Sequence, residues 1–156
     1  MVRFKEIIGH STVCLNLDET DGPQVVARLI QAAVDEGRLP AERRDEVVQT
    51  VLKRERGAST AMPDGIALPH GRTDCVRDIL CVIGIHPRGI EFGAPDLEPT
   101  HIFVLLLVPL TVGCNHISFL ANLSRRLMEQ SVRDNLVRAL SREAVLRTLL
   151  EEGTES

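Results

Sequence analysis

The chain has 156 residues, enough for one domain with a real core. Hydrophobic residues make up 44% and charged residues 26%, with no Trp or Tyr and only four Phe, so the core must be built from aliphatic side chains. A net charge of −4 with both signs scattered excludes the basic field that nucleic acid or an anionic membrane surface would need, and aromatic platforms for single strands are missing too.

No run approaches the ~20 apolar residues of a membrane span. The longest, Ile102 to Leu110, is strand-sized. Met1 to Glu6 lacks the apolar stretch of a signal peptide, so a cytoplasmic location is expected. Cys14, Cys75, Cys81 and Cys114 show no C-x-x-C spacing and lie in or beside apolar segments, as free buried thiols would. A mixed Cys/His site drawing on His70, His101 or His116 has no ligand spacing behind it, and no metal is expected.

In chain order, Val13 to Leu17 reads as an extended lead-in, with His10 nearby on the surface. Asp21-Gly22-Pro23-Gln24 is a helix start, with Asp21 as cap, Pro23 in the first turn and Gln24 at the capping-box position. Val25, Val26, Leu29, Ile30 and Ala33 form one apolar stripe, and Gly37 stops the helix. Leu39-Pro40 begins a second helix with Val47, Val48, Val51 and Leu52 facing the core. Its last turn carries Lys53, Arg54 and Arg56, favourable charges at the negative end of the dipole.

Pro63-Asp64-Gly65 is a turn, and Ile66, Ala67 and Leu68 form a short buried strand that Pro69 ends. Ile79 to Ile85 reads as a central strand closed by His86-Pro87-Arg88-Gly89, and Ile90-Glu91-Phe92 as a short edge strand. Thr100 to Val108 is the strongest strand in the chain. His86 and His101, at strand margins, are assigned structural roles.

Asn115 caps the next helix, with Ile117, Leu120, Ala121, Leu127 and Met128 along one face. Leu136, Val137 and Leu140 mark a short helix, and Ser141 caps the last one, with Val145, Leu146, Leu149 and Leu150 inside. Glu151 to Ser156 is a frayed polar tail to a single domain spanning 1–156. Helices flanking a sheet of three to five strands give an α/β sandwich.

Chemistry concentrates at His70. It sits where a strand breaks into a loop, with Gly71 permitting close backbone approach and Arg72 adding a fixed positive charge. A neutral imidazole there can act as nucleophile or base, and a strand-end histidine with no chemistry is the plainer alternative. The chain has no phosphate-cradling G-x-x-x-x-G-K-S/T loop, no G-x-G-x-x-G after a strand and no G-x-S-x-G elbow. Any phosphoryl donor should therefore be another phosphoprotein rather than a nucleotide, and no cofactor is expected.

The block Gly65-Ile66-Ala67-Leu68-Pro69-His70 has Arg54-Glu55 and Ser59-Thr60 upstream and Asn115-His116 opening a helix downstream. Over nearly the whole chain this resembles the IIA domain of the bacterial phosphoenolpyruvate-dependent phosphotransferase system, of the fructose/mannitol type that includes the nitrogen-related regulatory proteins. The resemblance implies an α/β three-layer sandwich, with a mixed central sheet flanked by helices on both sides. It implies that His70 takes a phosphoryl group from an HPr-type phosphocarrier protein, and that Arg54 and His116 stabilise it. Thr60 is implied as a hydroxyl near the phosphate. The next acceptor would be a IIB partner in sugar uptake, or phosphorylation would control binding to a regulatory protein partner. The family uses the Nε2 nitrogen, which no residue pattern here establishes. Pro63 stands where relatives commonly carry glycine, leaving the turn before the strand open.

Overall fold

The computed structural model describes residues 2–111 and 115–151, and the side chains of Val2, Asn115 and His116 lie outside the described set. The chain runs α1 (Val2–Gly9), β1 (Thr12–Cys14), α2 (Gly22–Asp35), a 3-10 turn (Ala41–Arg43), α3 (Arg44–Gly57), β2 (Ala61–Met62), β3 (Ile66–Ala67) and β4 (His70–Thr73). It continues through β5 (Leu80–Ile90), β6 (Thr100–Pro109), α4 (Asn115–Leu127), α5 (Gln130–Arg138) and α6 (Arg142–Leu150).

The organising strand is β6, apolar at every position from Ile102 to Val108, a pattern that requires cover on both faces. Successive side chains alternate between the faces. Phe103, Leu105 and Leu107 pack with Val25, Leu29, Val47 and Val51 of α2 and α3. Ile102, Val104 and Leu106 pack with Phe4, Phe119, Leu136 and Val145 of α1, α4, α5 and α6. The result is the three-layer α/β sandwich that the sequence resemblance implied.

The sheet order is β1-β5-β6-β3-β2, with β4 also pairing β6. β1 runs parallel to β5, β5 antiparallel to β6, and both β3 and β4 parallel to β6, so the sheet is mixed. Capping follows the sequence reading at two helices. The Asp21 carboxylate accepts from Gln24 N–H at 2.9 Å and the Ser141 hydroxyl from Ala144 N–H at 3.1 Å.

Several elements differ from the expectation. Residues 2–9 form a helix because Phe4, Ile7 and Ile8 share one buried face. The lead-in pairs as a true strand, Thr12 to Cys14 against Val82 to Gly84. The second helix begins at Arg44, after a 3-10 turn that absorbs the residues following Leu39-Pro40.

His86-Pro87-Arg88-Gly89 does not end its strand either. β5 runs on to Ile90 with a register irregularity, so Ile90 finishes that strand and Glu91-Phe92 forms no separate one. His86, 3% exposed, holds the irregular stretch: Nε2–H donates to the Glu19 carbonyl at 2.7 Å and Nδ1 accepts from Gly89 N–H at 3.0 Å. His101 Nδ1–H donates in turn to the His86 carbonyl at 3.0 Å. Both histidines are thus engaged in the framework. On α4 the buried face is Phe119, Leu123 and Leu127, whereas Ile117 and, one residue past the helix end, Met128 are exposed.

Candidate functional site

Pro69 has no N–H and cannot donate to a ladder, so the strand that begins at Ile66 is interrupted there. It does not turn away. Ile66 pairs with Ile102 and His70 with Leu106, both offset by 36 residues, so β4 continues in the register of β3 along the same edge of β6. Across the gap the Pro69 carbonyl accepts from Leu106 N–H at 3.0 Å. His70 therefore opens a second strand segment rather than a loop, which gives it a more rigid seat than the sequence suggested.

The register also fixes direction. His70 shares its sheet face with Leu106, the side covered by α1 and α4 to α6, while Gly71 faces α3. A Cβ on Gly71 would lie 3.2 Å from Thr50 Cγ2 and 3.3 Å from Val51 Cγ2, so the glycine lets α3 pack close behind the histidine. Arg72 is exposed in β4, its Nη1 donating to the Leu110 carbonyl at 3.4 Å.

Among the described residues, the half-buried imidazole is oriented by one hydrogen bond, Nδ1 to the Leu68 carbonyl at 2.9 Å. A carbonyl oxygen only accepts, so Nδ1 carries a proton in this contact, and in the neutral ring the lone pair is on Nε2.

Thr60 lies just ahead of β2 and opposite Leu68, whose N–H donates to the Thr60 carbonyl at 3.4 Å. Its own N–H and hydroxyl both go to Glu55, at 2.7 Å to Oε2 and 2.8 Å to Oε1. The hydroxyl proton is thus committed to a carboxylate. Glu55 and the Leu68 carbonyl are site components that sequence reasoning did not assign. The Arg54-Glu55 pair was the available signal for the first, while a backbone oxygen leaves none.

Arg54, in the last turn of α3, is exposed and donates from Nη1 to the Ala58 carbonyl at 2.8 Å. The structure thus links Thr60 to His70 through Leu68, and among the described residues no hydrogen bond joins Arg54 to the imidazole. His116 occupies the first turn of α4; its side chain is outside the described set. The Pro63-Asp64-Gly65 turn tolerates its proline because Asp64 and Gly65 supply the left-handed conformations, at φ 72° and 80°. Among the described residues, Cys14 and Cys81 are buried free thiols and Cys75 is a half-buried one.

The interrupted strand thus presents a histidine with one nitrogen tied to backbone, inside a six-stranded mixed sheet. The chain matches the family "Phosphoenolpyruvate-dependent sugar phosphotransferase system, EIIA 2" over residues 6–152 and belongs to it. It is 37% identical over 123 residues to the PTS system fructose-specific EIIA component of Haloferax volcanii, covering 79% of each chain. Nitrogen regulatory protein IIA-Ntr of Neisseria meningitidis superposes with a TM-score of 0.82 at 25% identity, covering 94% of this chain and 99% of that one. Enzyme IIAMTL of Escherichia coli, solved in complex with phosphorylated enzyme IIBMTL, has a TM-score of 0.74 at 23% identity. The match covers 90% of this chain and 95% of that one, and speaks for the fold.

Proposed function

We propose that this protein is a phosphohistidine carrier of the phosphotransferase system, acting in the cytoplasm. His70 accepts a phosphoryl group from an HPr-type phosphocarrier protein and passes it to a IIB partner. The observation that carries this reading is the Nδ1–H bond to the Leu68 carbonyl, which leaves Nε2 as a neutral nucleophile on a rigid strand.

In the transfer, the Nε2 lone pair forms the new N–P bond as the donor's N–P bond breaks, and that electron pair stays on the donor imidazole. The proton stays on Nδ1, bonded to the Leu68 carbonyl throughout, so the step needs no separate base. Catalysis then rests on positioning and on neutralising the three equatorial oxygens. Arg54, free to turn from the Ala58 carbonyl at an exposed helix end, supplies a guanidinium fork. His116, in the first turn of the 13-residue α4, stands where a helix N-terminus favours an anion. Thr60 would have to release Glu55 before its hydroxyl could donate to the phosphate.

The experiment is incubation with phosphoenolpyruvate, enzyme I and an HPr-type carrier. One phosphoryl group should load, labile to acid and stable to base, and His70→Ala should abolish loading while the protein stays folded. Full loading of folded His70→Ala would refute the assignment. The likeness to IIA-Ntr supports a second reading, in which the phosphorylation state of His70 controls binding to a regulatory partner. Discharge of the phosphoprotein by a IIB domain favours the carrier role, and a partner that binds only one phosphorylation state favours the regulatory one.

A further inference from the structure

We propose that Glu55 is a positioning residue for His70, acting by withdrawing a backbone N–H that would otherwise compete for the Leu68 carbonyl. The inference deepens the phosphocarrier reading and rests on it for its purpose, though not for its geometry.

In an antiparallel pair, opposed residues alternate between positions that exchange two N–H···O bonds and positions that exchange none. β2 and β3 pair Met62 with Ile66 and Ala61 with Ala67, so the next opposed pair is Thr60 with Leu68. One of that pair's two bonds is present, from Leu68 N–H to the Thr60 carbonyl. The reciprocal bond, from Thr60 N–H to the Leu68 carbonyl, is not made. Thr60 N–H goes instead to Glu55 Oε2 at 2.7 Å, and the Thr60 hydroxyl holds the other carboxylate oxygen at 2.8 Å. The Leu68 carbonyl is left to the imidazole, which takes it at 2.9 Å.

Charge decides the competition. An N–H bonded to an ionised carboxylate is roughly twice as strongly held as one bonded to a neutral carbonyl. Glu55 is delivered to the spot by the last turn of α3, two residues before that helix ends at Gly57, and is itself half-buried. The hydroxyl occupies the other carboxylate oxygen and leaves Oε2 to the amide. Glu55 thus ends the β2–β3 ladder one bond early, and the carbonyl so released sets the imidazole tautomer.

The test reads the tautomer directly in unphosphorylated full-length protein labelled with nitrogen-15 histidine, at alkaline pH, by long-range proton–nitrogen correlation. The chain has five histidines, so the His70 signals are those lost in His70→Gln. Wild type should show a protonated Nδ1 and a bare Nε2. Glu55→Ala, and Glu55→Met which keeps the bulk without an acceptor, should shift the ratio about fivefold or more toward the other tautomer, the population change of one net hydrogen bond. Glu55→Gln keeps an acceptor oxygen for the amide and should hold the wild-type tautomer. Thr60→Val keeps the amide and loses only the hydroxyl, and should do the same.

Wild-type tautomer ratios in both Glu55→Ala and Glu55→Met would overturn the proposal. So would a Thr60→Val protein that shifts as far as Glu55→Ala. Phosphoryl loading measured alongside should slow in the Glu55→Ala and Glu55→Met proteins and recover in Glu55→Gln. The tautomer is read without any transfer partner, so failure of the phosphocarrier reading, seen as loading of His70→Ala, remains a separate result.

Discussion

Gly84 lies in the middle of β5, on the sheet face covered by α2, and its substitution by alanine tests how tightly that layer is docked. A Cβ there would stand 2.6 Å from Leu29 Cδ2 and 2.8 Å from Leu17 Cδ1, against an optimal carbon–carbon separation of about 3.5 Å or more. Both leucines are enclosed, Leu29 at 0% and Leu17 at 4% exposure, so neither δ-carbon has solvent to swing into. Overpacking of this kind costs roughly 1–3 kcal/mol. Removing a glycine returns about 0.4–1 kcal/mol by restricting the unfolded chain. The net expectation for Gly84→Ala is a loss of about 1–2 kcal/mol, or about 2–8 °C in Tm for a chain of this length. Urea unfolding should show a lower midpoint with an unchanged slope. Trimming the obstacle in Gly84→Ala/Leu29→Val should cost less than the two single losses added together, because the pair share one space. His70 loading should be unchanged, since the clash faces α2 and not β4. A neutral or stabilised Gly84→Ala protein would refute the reasoning and mean that α2 rides loosely on the sheet.

Two further expectations concern single side chains. Arg54→Ala should slow phosphoryl transfer from the HPr-type carrier by ~100-fold or more, the usual loss for one preorganised donor, whereas Arg56→Ala should not. Each should cost only roughly 0.3–1 kcal/mol of stability as a helix-end cation, and equal small rate losses in single-turnover transfer would show that Arg54 does not reach the phosphate. Burial pushes the Cys81 thiol up to about 12, so in native protein at moderately alkaline pH an alkylating reagent should modify half-buried Cys75 and spare Cys81, as peptide mass mapping would report.

The layers were legible because their signals are local and strong. Ile102 to Val108 has no polar position, and the stripes on α2 and α3 repeat at helical spacing, so a two-sided sheet follows directly. The misread elements are those fixed by distant partners. Thr12 to Cys14 is a strand only because β5 offers it a parallel edge, which three residues cannot announce by alternation. His86-Pro87-Arg88-Gly89 carries every mark of a strand end, yet the Glu19 carbonyl and His101 hold it in the sheet from far along the chain. Ile117 and Met128 were expected inside with Leu127 because they are apolar, but the buried stripe of α4 runs through Phe119, Leu123 and Leu127, and Met128 lies past the helix end; apolarity alone does not fix a helix's rotation.

At the site the division is sharper. His70 could be singled out from the G-I-A-L-P-H block and its family resemblance, but the choice between its nitrogens could not, because a main-chain oxygen bears on that choice. Two departures from regular sheet flank that oxygen. Pro69, lacking an N–H, interrupts the ladder while the constant offset keeps β3 and β4 on one edge of β6. Thr60, with its amide drawn to Glu55, leaves Leu68 half-paired on the other side. A continuous strand would have spent both of its edges on neighbours and offered the imidazole nothing to lean on. A loop would have offered carbonyls without fixing where they point. Interrupting the strand while keeping its register supplies a free acceptor held by the rest of the sheet, and in the proposed role of His70 a nitrogen that meets a phosphorus in line needs that combination.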